Sequence, residues 1–428
     1  MDPRDPTVRE KRRGRDGQLG EMSVAKLLDG IRVVEVAIYA FVPAAGAALA
    51  DWGADVIKVE HPETGDPIRG TASYGISPGD GGVTTLWEVF NRGKRGIGID
   101  IRTPEGRDLL LSLVDQADVF LTNFMQPARA RLGIDVEQIM ARNPRIIYGR
   151  GTGQGPIGPD ANKGGFDGLS YWSRPGVSTA AMPPGAEFPV LLAGPAFGDI
   201  QSGMNLAGGI AAALYARERT GQGSVVDVSL FGSGLWAMQA SIAGSYATGR
   251  DNIVQLDRRM PPNPLANIYK SGDGRFFALG MLEADRYWPG LCKALDRPDL
   301  ADHPLFATIA LRAENSADCV AVLDAVFAGL PMTDIAARLN SQEGQWSMVE
   351  LPGDTLKDEQ ALANGYIQMV PHENGAKLPL VPVPALINGE LPVLTRAPQH
   401  CEHTDEILAE YGHDAEAILN LKVAGFVG

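Results

Sequence analysis

One carboxylate in this chain stands beside a glycine at the opening of a helix. The run Pro195-Ala196-Phe197-Gly198-Asp199-Ile200-Gln201-Ser202-Gly203-Met204 leads into a small, apolar pattern from Asn205 (Leu206, Ala207, Ile210, Ala213, Leu214). That pattern stops at Thr220-Gly221, where glycine ends the helix. The spacing puts Asp199 near the N-cap, where the helix dipole and free N–H groups favour an ionised carboxylate. With Gly198 beside it, the group is open to close approach by a substrate, and carboxylates serve as covalent nucleophiles. The plain alternative is that Asp199 caps the helix and does nothing else.

Other residue types narrow the chemistry. The six histidines are His61, His303, His372, His400, His403 and His413, so none lies between positions 62 and 302. A Ser–His–Asp site or a histidine metal cluster at Asp199 would need a distant histidine to fold in. His400 and His403 have a spacing that could ligate a metal, but a surface pair is the simpler reading. Gly153-Gln154-Gly155-Pro156-Ile157-Gly158 follows a strand and matches a dinucleotide fingerprint by letter. The segment after it, Pro159 to Gly165, reads as loop and not as the helix that would receive a pyrophosphate. The first strand-to-helix turn, Ala37 to Pro43, has no glycine, and Glu60 mimics a ribose-binding acid without a glycine-rich partner. A nicotinamide or flavin site is not expected. Two basic groups, Arg92, Lys94 and Arg95, and Arg129 and Arg131 after Asn123-Phe124, fall where open α/β sheets bind ligands and could neutralise phosphates. Solvated surface charge is the alternative.

These residues need a scaffold, and the pattern supplies one. Ile31–Val36 and Asp55–Glu60 read as buried strands around an Ala-rich helix from Pro43 to Asp51. Strand-like runs recur at Gly96–Asp100, Val119–Leu121, Arg145–Tyr148 and Ser224–Val228. Helices fall between them, one opened by Thr103-Pro104-Glu105 as cap, N1 and acidic N2. Such β-α-β units imply an open, doubly wound parallel sheet. A long apolar helix is expected from Leu230 to about Thr248, then a change of domain at the Pro-rich Met260–Pro264. A hairpin with an Asp-Gly turn spans Tyr269–Leu279, helices run to about Asn340, and Leu351–Pro392 reads as a long extended connection. Helices at Thr404–Gly412 and His413–Val423 close the chain.

Composition agrees with an ordinary soluble globular protein of about two or three domains. Of its 428 residues 44% are hydrophobic and 21% charged. A net charge of −14 argues against nucleic acid and anionic membrane partners. Three scattered cysteines suit a reducing compartment. Residues 1–22 are dense in both charges and lack a signal-peptide core, so a disordered extension and a cytoplasmic location are expected.

The chain resembles the class III CoA-transferases, the group of formyl-CoA transferase and carnitine CoA-transferase, with α-methylacyl-CoA racemase as a relative. The resemblance runs from Leu27 to the C-terminus. It rests on Trp52-Gly53-Ala54-Asp55-Val56-Ile57-Lys58-Val59-Glu60, Asn91-Arg92-Gly93-Lys94-Arg95, Thr103-Pro104-Glu105-Gly106, Asp118–Phe124, Gly198-Asp199, Thr395-Arg396-Ala397-Pro398 and Glu402-His403-Thr404. It implies a Rossmann-like large domain from both chain ends (23–225 and 393–428), a linker helix (226–260), an inserted small α+β domain (261–345) and a return linker (346–392). An interlocked homodimer is implied too. Asp199 in the Gly198-Asp199 position would be the nucleophile, with Asp167 as a secondary acid or positioning group. Coenzyme A would lie against His61, Lys94, Arg95, Asn123, Phe124, Arg131 and Leu132.

The implied reaction moves CoA from an acyl-CoA to a free carboxylic acid through an aspartyl-CoA thioester, with no metal and no redox cofactor. Amides of the glycine-rich segments and the helix N-terminus would hold the oxyanions. Tyr171, Trp172 and the run to Pro184 are expected to shape an acyl pocket. The chain also departs from its relatives. Racemases carry Gly-His-Asp where this chain has Gly165-Phe166-Asp167, and formyl-CoA transferase has glutamine at Ala40, a basic residue at His61 and a glycine-rich loop not found here. An acyl-CoA racemase or isomerase is the alternative activity, and a non-catalytic CoA-binding protein the second.

Overall fold

The computed structural model describes residues 26–70, 83–251 and 257–428. The expected N-terminal extension lies outside the described residues. Six strands form one sheet: β1 (Arg32–Val36), β2 (Asp55–Glu60), β3 (Arg95–Gly98), β4 (Val119–Thr122), β5 (Ile147–Thr152) and β6 (Ser224–Ser229). Their order is β3-β2-β1-β4-β5-β6 and every neighbouring pair is parallel. The central strands are near-continuous apolar runs because helices cover both faces. Val34 pairs with Ile57 on one side and Phe120 on the other.

The helices of this layer are α1 (Phe41–Asp51), α2 (Thr85–Asn91), α3 (Pro104–Asp115), α4 (Gln126–Leu132), α5 (Val136–Arg142), α6 (Phe197–Thr220), α7 (Thr404–Glu410) and α8 (Ala415–Val423). Leu109, Leu110 and Leu113 of α3, Ile139 of α5, Ile407 of α7 and Ile418 of α8 share one core with Val34, Ile57, Ile97 and Phe120. Helix α3 starts as its sequence requires: Thr103 caps the Gly106 amide at 3.0 Å and Pro104 opens the first turn. The C-terminal segment returns to the sheet edge, where Pro398 accepts the Trp87 indole N–H at 3.0 Å and Thr404 accepts the Gly98 amide at 3.1 Å.

Two compact units result. The first is Met1–Thr179 (described from Lys26), Val190–Gly244 and Gln360–Gly428; the second is Ala180–Pro189 and Ser245–Glu359. In the second unit β7 (Ala266–Lys270), β8 (Phe276–Gly280) and β9 (Trp346–Met348) form an antiparallel sheet. Phe277 and Phe327 meet edge to face at its core, 4.8 Å apart.

Two local expectations change. The helix expected over 230–248 is interrupted at Met238, into Leu230–Ala237 and Gln239–Thr248. The stretch expected as an extended return, 346–392, instead gives a strand to the second unit and a hairpin to the first, β10 (Gln368–Pro371) with β11 (Lys377–Leu380). Asn374-Gly375 makes the turn, with Gly375 at φ +83°, and Val370 and Leu380 bury their side chains with Leu394.

Candidate active site

The sheet order reverses between β1 and β4, and at such a switch point the loops leaving the two strands diverge and open a crevice. The β1–α1 turn forms one wall, and a buried charge network fixes it. Lys58 donates to the Ala37 carbonyl at 2.7 Å and to Asp66 at 2.8 Å, with Glu35 at 3.3 Å. Asp66 accepts the Tyr39 amide at 3.1 Å. From the other side Asn123 accepts the Ile38 amide at 3.0 Å and donates to the Ile38 carbonyl at 2.6 Å. Tyr39 is thereby held at φ +63°, a costly conformation for a non-glycine residue. Burial works against the Lys58 charge, yet Asp66, Glu35 and Glu60 outweigh it and hold its pKa above the usual lysine value.

Asp199 is the third residue of α6, three positions past the N-cap that the sequence suggested for it. The cap position belongs to Ala196, at φ +56°, and Ala196 provides no side-chain cap. The capping carboxylate comes from elsewhere. Asp167 opens a wide π-type helix (Asp167–Ser173) and accepts the Gly198 amide on Oδ2 at 3.0 Å, while its buried Oδ1 has no hydrogen-bond partner. Gly198 allows this approach, since a Cβ there would lie 2.3 Å from both Asp167 Oδ1 and Tyr171 Cγ. Among the described residues no donor or cation contacts the Asp199 carboxylate. Densely surrounded yet open on one side, it is pushed up to about 7 by burial and then by the Asp167 charge. Burial likewise raises Asp167 to about 6, against the pull of the Gly198 amide. The sequence argument for a dipole-stabilised, ionised Asp199 is therefore corrected: burial raises its pKa, and the Gly198 amide of the first turn serves Asp167.

Asp199 lies at the junction of two cavities. The larger, about 400 Å³, is bounded by the β1–α1 turn, Asn123 and Phe124, Arg150, and the glycine-rich loop through Lys163, Gly164 and Gly165. The smaller, about 130 Å³, lies on the α2 side, between Ala40, Ile68, Leu86 and Phe90. Tyr39 and Phe166 border both cavities and meet edge to face at 5.7 Å.

The structure brings Asn123, Phe124, Asp167, Gly198 and Asp199 together, and places the other candidates elsewhere. His61 follows β2; its Nδ1 accepts the Glu63 and Thr64 amides, and Nε2 faces Asp100 at 3.6 Å. Lys94 is wholly buried, clamped by Glu35 at 2.8 and 2.9 Å and by the Pro43 carbonyl at 2.9 Å. Burial lowers its pKa to about 8 despite Glu35. A Cβ on Gly46 of α1 would lie 1.9 Å from Glu35 Oε2, so the helix closes directly over this pair. Arg95 pairs with Asp55, Glu406 and Glu410 at the other edge of the sheet. Leu132 is in the core, and Arg131 is exposed on α4 outside the cavity lining. Arg129 lines the larger cavity but is locked to Asp135 at 2.9 Å.

His400 and His403 spend ring nitrogens on the backbone, at His61 O (3.0 Å) and the Gly96 amide (3.2 Å). Tyr171 and Trp172 are buried and line neither cavity. Sequence reasoning missed Lys163, the cation on the larger cavity that carries no partner among the described residues. The signal lies in Lys163-Gly164-Gly165, at the end of the loop that has no helix after it to receive a pyrophosphate.

A doubly wound parallel sheet with an aspartate, unpartnered among the described residues, on a switch-point cavity marks an α/β protein with a small-molecule site. The chain belongs to CoA-transferase family III, which matches residues 28–404. It is 32% identical over 397 residues to the (R)-2-hydroxy-4-methylpentanoate CoA-transferase of Clostridioides difficile, covering 92% of this chain and 98% of that one. To the succinyl-CoA--D-citramalate CoA-transferase of Chloroflexus aurantiacus it is 36% identical over 292 residues, 68% of this chain and 70% of the other. A CAIB/BAIF family protein from Brucella suis has a similar solved structure, with TM-score 0.78, 32% identity and coverage of 90% and 99% of the two chains. The protein is thus a class III CoA-transferase, and its reaction moves CoA between acyl-CoA thioesters and carboxylic acids.

Proposed function

We propose that Asp199 carries the transfer as a covalent nucleophile. The observation behind this is a carboxylate without hydrogen-bond or ion-pair partners among the described residues, at the junction of the cavity of about 400 Å³ and a smaller apolar one. The Asp199 carboxylate attacks the donor thioester carbonyl; the C–S bond breaks, giving a mixed anhydride and CoA thiolate. The thiolate attacks the aspartyl carbonyl, the anhydride C–O bond breaks, and the donor acid leaves an aspartyl-CoA thioester. The acceptor carboxylate then runs the two steps in reverse. No proton enters or leaves, which fits Phe166 in the place of a histidine.

The thioester's nucleotide end lies in the larger cavity, with Lys163 and the exposed Arg131 as the cations free to meet phosphate. Because the Gly198 amide is taken by Asp167, the oxyanions fall to the Ala40 and Phe41 amides at the start of α1. On the same reading the chain works as a cytoplasmic homodimer, sedimenting at twice the 45.6 kDa chain mass. The names of the two relatives pair CoA with a branched hydroxy acid and with dicarboxylic acids, so family membership leaves the acid open.

The test is to incubate the protein with an acyl-CoA in D₂O, quench with hydroxylamine or borohydride, and map the modified peptide. Modification at Asp199 without α-deuterium uptake is expected. Deuterium uptake without modification would mean α-proton transfer, and neither result would leave a CoA-binding protein.

A further inference from the structure

The smaller cavity carries information about the acid. It lies on the α2 side of the Tyr39–Phe166 pair and is walled by Ala40, Ile68, Leu86 and Phe90. Ile68 and Phe90 are almost fully buried. Apart from the Tyr39 phenol its polar side chains are Asp167 and Asp199, both acidic, and no cation lines it among the described residues. The nearest basic side chain along the chain, Arg69, is committed: it holds Glu60 at 2.7 and 2.8 Å and stacks on the Trp87 ring at 3.4 Å.

Three physical consequences follow. An apolar tail gains by leaving water for these walls. A second carboxylate would be buried there without a counter-charge and beside Asp167, which is costly on both counts. At about 130 Å³ the chamber is close in size to the ~150 Å³ apolar cavity that binds benzene in another protein, so it admits a tail of about four to six carbons.

We infer that this chamber is the acyl subsite and that it selects an uncharged, branched or aromatic monocarboxylic acyl group over a dicarboxylic one. The inference rests on Asp199 as the reacting carboxylate, and it can be tested apart from that chemistry. Binding of 3-methylbutanoyl-CoA, acetyl-CoA and succinyl-CoA is measured calorimetrically on the full-length Asp199→Asn protein, where no turnover intervenes. The branched thioester should bind about 100-fold more tightly than succinyl-CoA. Leu86→Trp, which fills the chamber from its partly open wall, should cut the ratio of branched to acetyl affinity by about tenfold. Equal or tighter binding of succinyl-CoA, or an unchanged ratio in Leu86→Trp, overturns the inference. In parallel, intact mass of the wild-type protein with each thioester reports the aspartyl adduct. Selective binding with no adduct would sink the covalent reading and leave the chamber standing, whereas an adduct formed best from succinyl-CoA would do the reverse.

Discussion

Replacing Asp199 by asparagine should abolish transfer and at the same time stabilise the fold above neutral pH. The carboxyl has an ordinary pKa of 3.8 and is pushed up to about 7 by burial and by Asp167. For an acid raised in this way, the folded state is fully favoured below the unfolded pKa and loses stability as pH climbs to the folded one. The loss accrues at about 1.4 kcal/mol per pH unit through that window and then levels off. Between pH 5.5 and pH 8 it amounts to about 2 kcal/mol, and an uncharged amide of the same shape does not suffer it. Urea unfolding of both proteins at matched pH values reads this out. The advantage of Asp199→Asn should grow by about 2 kcal/mol between pH 5.5 and 8, with most of the change complete by pH 7. A difference that is flat in pH, or that favours the wild type at pH 8, would falsify the claim that Asp199 is an ionised group held at a cost.

Three other outcomes follow from the same geometry. Transfer by the wild type should rise about tenfold per pH unit below pH 7 as Asp199 ionises, then plateau; Asp167→Asn should move that midpoint down by removing the neighbouring charge, visible in kcat/KM profiles. Lys163→Ala should raise the KM for acyl-CoA by about five- to tenfold at low salt, and less at high salt, as for a surface cation on phosphate. Lys94→Met should cost about 3 kcal/mol of stability by leaving Glu35 under-compensated, while its KM for acyl-CoA stays nearer the wild-type value than that of Lys163→Ala.

The sheet was legible because parallel strands buried on both faces are written as short apolar runs between helix caps: Val33–Val36, Val56–Val59 and Val119–Leu121 needed only periodicity. The hairpin at 368–380 is hidden because prolines on either side of the Asn374-Gly375 turn read as punctuation. Within the site, Asp199 stood out through its glycine neighbour, whereas the tasks of the basic residues were invisible. Lys94, Arg95 and Lys163 look alike in one dimension. Their fates are decided by which carboxylates the fold brings close: Glu35 for Lys94, Asp55 with Glu406 and Glu410 for Arg95, and none among the described residues for Lys163. Those partners lie tens to hundreds of positions away in sequence, so spacing carries no trace of them.

The two carboxylates at the start of α6 divide a labour that sequence would assign to one. A nucleophilic aspartate is weakened by every hydrogen bond it accepts, yet a helix N-terminus presents amides that attract a carboxylate. Here Asp167, brought in from a separate helix, takes the Gly198 amide, and among the described residues nothing donates to the Asp199 carboxylate. The same proximity raises the Asp199 pKa, which brings nucleophilicity at the expense of ionisation. A histidine in the place of Phe166 would reopen the conflict, since its cation would pair with Asp199 and lower both its pKa and its reactivity. On the proposed mechanism each step passes an acyl group between a carboxylate and a thiolate with no proton to shuttle. An aromatic wall at position 166 then serves the reaction better than an acid–base group.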